Sequence, residues 1–469
     1  MFKPETYVER RKKLKQQVPS GLLVFPGNDE APMNYPANHY PFRQDSSFLY
    51  FFGLDGPGLT GVIDVEADAD MIFGDDVTLE DVIWVGEVPK LKDRAIEAGV
   101  KKTSPLSKLA EAISSAARKK RRVHYLPPYR AVTGEKLSAR LGMRVGSVRQ
   151  GVSEELVRAV VAQRSTKSDE EVAEIEKALA VTREMFLAAM KAARPGITEQ
   201  ELIAEVEGIA LTHGYPTAFP TILTLNGHVF HNLFHGNTLE KGRLVVMDAG
   251  VSTPMGYASD ITRTLPAGGK FTPKQRSIYE IVLAGQTHAL GMIRPGVKHK
   301  DIHLAAAWVM AQGLKDLGLM KGDMDGAVEA GAHALFFPHG LGHMLGLDVH
   351  DMEGLGEDYV GYDQTVERSE QFGLAYLRMA RRLEPGFVLT CEPGIYFIPA
   401  LIDRWRRESR FADFIDYDKV EAYRDFTGVR IEDDVLVTPQ GSRVLGKSIP
   451  KAVKDIEKTM AGGRVRSRT

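Results

Sequence analysis

The chain has 469 residues, too many for one ordinary core, so two or three domains are expected; 43% apolar and 26% charged residues describe a folding globular protein. A formal net charge of -2, from 60 basic and 62 acidic residues, argues against a nucleic-acid partner, which would call for a basic excess. A single cysteine, Cys391, excludes an internal disulfide, and no apolar run reaches the ~18 residues of a membrane span. With a charged N-terminus lacking a signal-like apolar segment, a cytoplasmic protein is expected.

In chain order, residues 5 to 17 form a short charged helix leading into the apolar strand Gly21–Phe25. Strands are expected at Ser47–Phe52, Leu59–Val65 and Asp81–Val85, a helix over Leu106–Lys120 and a further strand at Arg122–Leu126. The basic run Arg118–Arg122 reads as a solvated helix end, since no aromatic platform adjoins it. This alternation gives a small α/β domain with a mixed or parallel sheet over residues 1–160. A second domain follows over 165–460. Ser168 caps its first helix, Ala173–Ala193, and Thr198 caps the next, Glu199–His213.

From Pro220 the pattern turns to strands. Thr221–Leu225 precedes a polar loop holding His228, His231 and His235, and Leu244–Met247 is a buried strand ended by Asp248. Asp260 begins the next strand, and the twelve-residue gap suits an antiparallel hairpin that brings both carboxylates side by side. Helices Pro273–Met292 and His299–Leu317 lead to the stretch FFPHGLGHMLGLDVHD, with His339, His343 and His350 among close-packing glycines. Strand Phe387–Cys391 ends on Glu392, residues 403–425 form a helical insertion, and Gly428–Val437 is a strand with Arg430 and Glu432 on one face. Two helix-pair-then-hairpin units hint at an internal duplication, and the Arg-rich tail from Arg464 reads as disordered.

Asp248, Asp260, Glu392 and Glu432 each sit in apolar sequence, where an acid is costly unless something offsets its lost solvation. A single such acid is ordinarily a strand cap or an arginine partner. Four together with His343 have the composition of a dinuclear site, in which two divalent ions share a water as hydroxide. Oxygen-rich donors with one imidazole suit Mn²⁺, with Co²⁺, Zn²⁺ or Fe²⁺ able to substitute.

The motifs HGLGHMLGLDVHD, DAG…SDITRT, EPGIY and GVRIEDD resemble those of the metallopeptidase family that includes methionine aminopeptidase, aminopeptidase P and prolidase. YPFRQDSSFLYFFG resembles the N-terminal domain of the aminopeptidase P and prolidase branch. The resemblance implies an α/β (α+β) chain with an aminopeptidase-P-type N-terminal domain and a pita-bread catalytic domain. It implies two divalent ions per subunit, held by Asp248, Asp260, His343, Glu392 and Glu432, with Glu392 also relaying protons. His339 and His350 match histidines that steady the tetrahedral intermediate, and Arg430 an arginine that holds carboxylates in place. His231 matches the histidine that precedes the first aspartate, with His235 its rival because the loop spacing departs from the family. The Asp248 to Asp260 gap is one residue longer than expected, which a longer turn around Thr253–Pro254 would absorb.

Implied substrates are small peptides with proline second, and a homodimer is expected. Proline's ring and missing N–H exclude it from peptidase sites that need that donor. Aminopeptidase P cleaves Xaa-Pro peptides of varied length and prolidase only dipeptides. Arg378 falls where prolidases carry an arginine suited to a dipeptide carboxylate, but the YPFRQ layout favours aminopeptidase P. Creatinase chemistry or a non-catalytic peptide-binding role on the same fold would leave ligand positions empty, and all five are filled here.

Overall fold

The computed structural model describes residues 1–463; the Arg-rich tail, expected to be disordered, lies outside them. The chain divides into two compact units. Residues Met1–Arg164 form one together with Met352–Tyr359, and Ser165–Asp351 with the residues from Val360 onward form the other. The return of Met352–Tyr359 to the first unit is a feature that a single boundary does not describe.

In the first unit, helix α1 (Pro4–Gln17) precedes a five-stranded sheet. Its strands are β1 (Leu22–Pro26), β2 (Thr60–Asp64), β3 (Ala69–Phe73), β4 (Lys102–Ser104) and β5 (Val123–Tyr125), in the order β4-β3-β2-β1-β5. β2 runs antiparallel to β1 and β3, while β4 and β5 are parallel to their neighbours, so the sheet is mixed as expected. Leu22, Val24, Val62 and Phe73 bury one face of it.

Two expected strands are helices. The aromatic run forms α2 (Ser46–Phe52), because the Asp45 side chain accepts the Phe48 N–H at its start and Gly53, at φ +66°, ends it. Phe48, Phe51 and Phe52 lie wholly buried, each worth about 1.5–3 kcal/mol over exposure. Aromatic content favours strands, and here the two caps outweigh it. The second, α3 (Leu79–Val85), is started by a capping box between Thr78 and Asp81. Further on, α4 (Leu109–Arg118) packs Leu109, Ile113 and Ala116 on the sheet.

The second unit opens with α5 (Asp169–Ala192) and α6 (Glu199–Thr212), started by capping boxes at Ser168 and Thr198. Strands β6 (Ile222–Thr224), β7 (Leu244–Ala249) and β8 (Ile261–Pro266) form an antiparallel sheet in the order β6-β7-β8. Helices α7 (Pro273–Met292) and α8 (His299–Asp316) pack on each other, as α5 and α6 do, in keeping with a repeated helix-pair-and-strands plan. After them come β9 (Val388–Cys391), β10 (Gly394–Tyr396), α9 (Pro399–Arg407) in the insertion, β11 (Gly428–Arg430), β12 (Asp433–Val437) and β13 (Ser442–Val444). β13-β12-β9 and β10-β11 are antiparallel sets.

Two details correct the sequence reading. Asp248 lies inside β7 rather than past its end, paired with Thr262 of β8. The strand expected over Gly428–Val437 is two strands, interrupted at Ile431 and Glu432. The interruption turns Glu432 so that its N–H donates to the Thr262 carbonyl, across to the β7–β8 hairpin (3.0 Å). No helix among the described residues is long and apolar enough to cross a membrane.

Candidate metal centre

The β7–β8 hairpin sets two of the acids. Ala249 pairs with Ile261 and Asp248 with Thr262, so Asp260 stands two residues from Asp248's partner and on its face of the sheet. The hairpin turns around Thr253–Pro254, closed by Thr253 N–H to Tyr257 O (2.9 Å) and Gly256 N–H to Thr253 O (2.8 Å). Close approach within the hairpin fixes Gly250, where a Cβ would fall 1.7 Å from the Ser259 carbonyl oxygen.

The histidine stretch lies against β9. Thr390 N–H donates to His343 O (3.0 Å), Thr390 Oγ1 accepts the His343 N–H (3.2 Å), and a Cβ on Gly342 would meet the Thr390 carbonyl at 2.1 Å. The buried His343 ring pairs its Nδ1 with the Met344 carbonyl (3.0 Å). That bond selects the tautomer with a lone pair on Nε2, the nitrogen lying 3.4 Å from Asp260 Oδ2 and 3.7 Å from Glu392 Oε1. Glu392 follows β9 and is fixed by its N–H to Leu341 O (2.8 Å). Glu432 accepts the Thr262 hydroxyl (2.7 Å). One donor atom each from Asp260, His343 and Glu432 lies within 4.8 Å of the others.

The electrostatics of this group are those of acids that outnumber their counter-charge, Arg430. Burial pushes the Asp260 carboxyl well above its usual range, and Asp248, Asp434 and Glu392 push it further. Burial does the same to Glu432, reinforced by Asp260 and Glu392. Glu392 is raised by burial, with His343 and Arg430 pulling the other way. Asp248 Oδ1 and Asp260 Oδ1 are buried with no protein partner. Clustered acids cannot all ionise unless positive charge joins them, and a divalent cation with oxygen preference supplies it. The donor set therefore fits a metal.

Around this group, Arg430 donates to Asp248 Oδ2 (2.6 Å), to Thr262 Oγ1 (3.1 Å) and to the Tyr396 hydroxyl (3.0 Å). Burial would lower its guanidinium, but Tyr396, Asp248 and the nearby glutamates outweigh that and hold it well above its ordinary value. The Tyr396 hydroxyl bonds His339 Nε2 (2.8 Å) and the Gly340 carbonyl takes His339 Nδ1 (2.8 Å). Burial and Arg430 push the His339 imidazole down to about 3, so it is neutral. The His350 ring lies 4.0 Å from that of His343.

A cavity of about 850 Å³ opens above the acids, with His231, His339, His350, Arg378 and Arg430 in its lining and Phe230, Ile222 and Leu401 among its apolar walls. His235 is absent from that lining and bonds instead to the Leu223 carbonyl (3.2 Å). Three residues escaped the sequence reading. Tyr396 and Thr262 were visible in EPGIY and DITRT, but nothing in one sequence gave either a partner. Asp434, whose Oδ2 accepts the Asp260 N–H (3.1 Å), carries no signal in EDD that sets it apart from its neighbours. Cys391, beside Glu392, is wholly buried, and its thiol is pushed up by that burial.

Comparison with known proteins places these features. Residues 173–439 match the model of metallopeptidase family M24 and residues 7–125 that of the aminopeptidase P N-terminal domain. The chain belongs to metallopeptidase family M24. Its second unit is accordingly the pita-bread domain of an M24 enzyme. The human Xaa-Pro dipeptidase is 32% identical over 464 residues, 97% of this chain and 91% of that one. A probable Xaa-Pro aminopeptidase pepP of Aspergillus clavatus is 35% identical over 437 residues, 90% of this chain and 89% of its own. The structure of Pseudomonas aeruginosa aminopeptidase PepP is similar at a TM-score of 0.83 and 29% identity, covering 99% of both chains. M24 membership makes this chain a metallopeptidase that uses divalent ions.

Proposed function

We propose that this M24 enzyme is a Xaa-Pro aminopeptidase, hydrolysing the bond between an N-terminal residue and a following proline. The convergence of Asp260, His343 and Glu432 at the foot of a walled cavity carries the reading. Asp248, Asp260, His343, Glu392 and Glu432 would hold two divalent ions, and the oxygen-rich set favours Mn²⁺. Such ions polarise a carbonyl oxygen and make water nucleophilic at neutral pH.

The chain's own residues then divide the work. Glu392 sits beside His343 with a carboxyl raised by burial, suited to accept a proton on a carboxylate oxygen and return it to the proline nitrogen. Arg430 fixes Asp248, and His339 orients Arg430 through Tyr396, since both its ring nitrogens are engaged. His231 and His350, on the cavity wall, suit contacts to the bound peptide. A homodimer or higher homo-oligomer is inferred from the family likeness, and a cytoplasmic location from the single cysteine, Cys391.

One observation supports prolidase instead: Arg378 lines the cavity, where it could take the carboxylate of a dipeptide. Turnover of Xaa-Pro against Xaa-Pro-Xaa, with bound metal measured alongside, tests both. Cleavage of the longer peptide supports aminopeptidase P; dipeptides alone as substrates would give the assignment to prolidase. A chain that binds about two ions and cleaves neither would end the proposal.

A further inference from the structure

The histidine stretch is held from below by an ion pair that the site as described does not use. Lys167 Nζ and Asp351 Oδ2 are 2.9 Å apart, and both side chains are only 1% exposed. Lys167 lies between the start of this unit and α5, and its N–H donates to Gly386 O (2.8 Å), at the foot of β9. Asp351 directly follows His350. Its N–H returns to Met344 O (2.9 Å), and its Oδ1 accepts the Asp348 N–H (3.3 Å). The segment from Met344 to Asp351 is thus a closed loop with His343 next to one end and His350 next to the other. The two rings lie 4.0 Å apart.

Packing shows how tightly the pair is built in. A Cβ on Gly346 would come within 2.5 Å of Asp351 Oδ2 and 3.0 Å of Lys167 Cε, so this glycine leaves room for the pair. The Gly346 carbonyl also accepts the Ala258 N–H (2.8 Å), tying the loop to the hairpin two residues before Asp260. A buried ion pair often adds little net stability over an apolar pair of similar volume, while removal of one partner is severe. Its directional bonds specify a geometry that an apolar pair of the same volume need not reproduce.

We propose that Lys167 is a positioning residue for His350, acting through Asp351. The ammonium holds the carboxylate, the carboxylate holds the Asp348 N–H, and the closed loop holds His350 against His343 and toward the cavity. Its catalytic consequence rests on the peptidase reading above. Its geometric consequence does not.

The test uses the full-length enzyme in three forms: Lys167→Met, Asp351→Leu and the two together. Lys167→Met is expected to lower kcat by about 10- to 100-fold, the usual cost of losing a supporting contact, with KM within about threefold. Each single variant should melt earlier. The double variant, which removes both charges of the pair, should regain the melting temperature and the metal content of the parent while kcat stays low. In a crystal structure of Lys167→Met the His350 ring should have left its place 4.0 Å from His343.

Recovery of both Tm and kcat in the double variant would make the pair merely structural and overturn the proposal. So would loss of metal together with kcat in that variant, an unchanged kcat in Lys167→Met, or a His350 ring unmoved in its crystal structure. Should the parent, loaded with metal, cleave no Xaa-Pro peptide, the peptidase reading fails while the ring position still decides the positioning claim.

Discussion

Glu432 and Asp433 are adjacent, both buried, and opposite in character. Glu432 faces Asp260, Glu392 and Asp248, and its carboxyl is raised well above the usual range. Asp433 faces Arg263 Nη2 and Lys451 Nζ, each 2.6 Å away, with Gln286 Nε2 at 3.2 Å. Burial works to raise Asp433 too, yet the two cations outweigh it and hold the carboxyl below its ordinary value. One group carries its own counter-charges. The other has Arg430 beside four carboxylates and would need divalent cations for the rest. Burial alone does not distinguish a structural acid from a ligand; the partners do.

The sharpest way to break this comparison is at the ligands. Asp260→Asn should lose metal and reduce turnover by far more than the ~10- to 100-fold typical of outer contacts, measured by peptide cleavage and metal analysis. The stripped variant should unfold within about 1 kcal/mol of the stripped parent, since an amide replaces a carboxyl whose ionisation burial already disfavours. Asp433→Asn should do the reverse. It leaves Arg263 and Lys451 without their carboxylate and should cost about 3–5 kcal/mol in denaturant unfolding.

Acid and base should separate the two groups as well. In the metal-free protein, native Asp260 and Glu432 keep protons that the unfolded chain has released above its pKa of about 4. Their contribution therefore falls as pH rises from about 4 through the folded values, so the stripped protein should melt earlier at about pH 8 than at about pH 5. Asp433 contributes fully above about 4 and loses its contribution as pH falls through its depressed value. Added Mn²⁺ should abolish or invert the first trend and leave the second. A stripped protein whose melting rises from pH 5 to pH 8 would show that the raised acids do not dominate.

The smallest effect belongs to Thr262, which donates to Glu432 and accepts from Arg430. Thr262→Val keeps the shape and removes both bonds. About 1–3 kcal/mol of stability should go, with a modest rise in the Mn²⁺ concentration needed for half-maximal activity.

Much of this was legible because the motifs that carry the candidate ligands are local. Asp248 and Asp260 share a hairpin, and period-two alternation is enough to put them on one face. The acid-and-histidine inventory and the capped helices at Ser168 and Thr198 were legible for the same reason. What escaped depends on partners far away in the chain. Asp433 and Glu432 look alike in GVRIEDD, and only Arg263, Gln286 and Lys451, arriving from other elements, tell them apart. The break at Ile431 and Glu432 is equally invisible, because apolar alternation runs straight through it. In the first unit, SSFLYFF reads as strand by content and folds as helix by its ends.

Cys391 lies one residue from Glu392 and is wholly buried, its thiol pushed away from ionisation. Alkylating reagents and peroxide act on exposed thiolates, so neither should find a thiol target in the folded enzyme. Activity that fades on storage should be recovered by replenishing the metal rather than by adding a reducing agent.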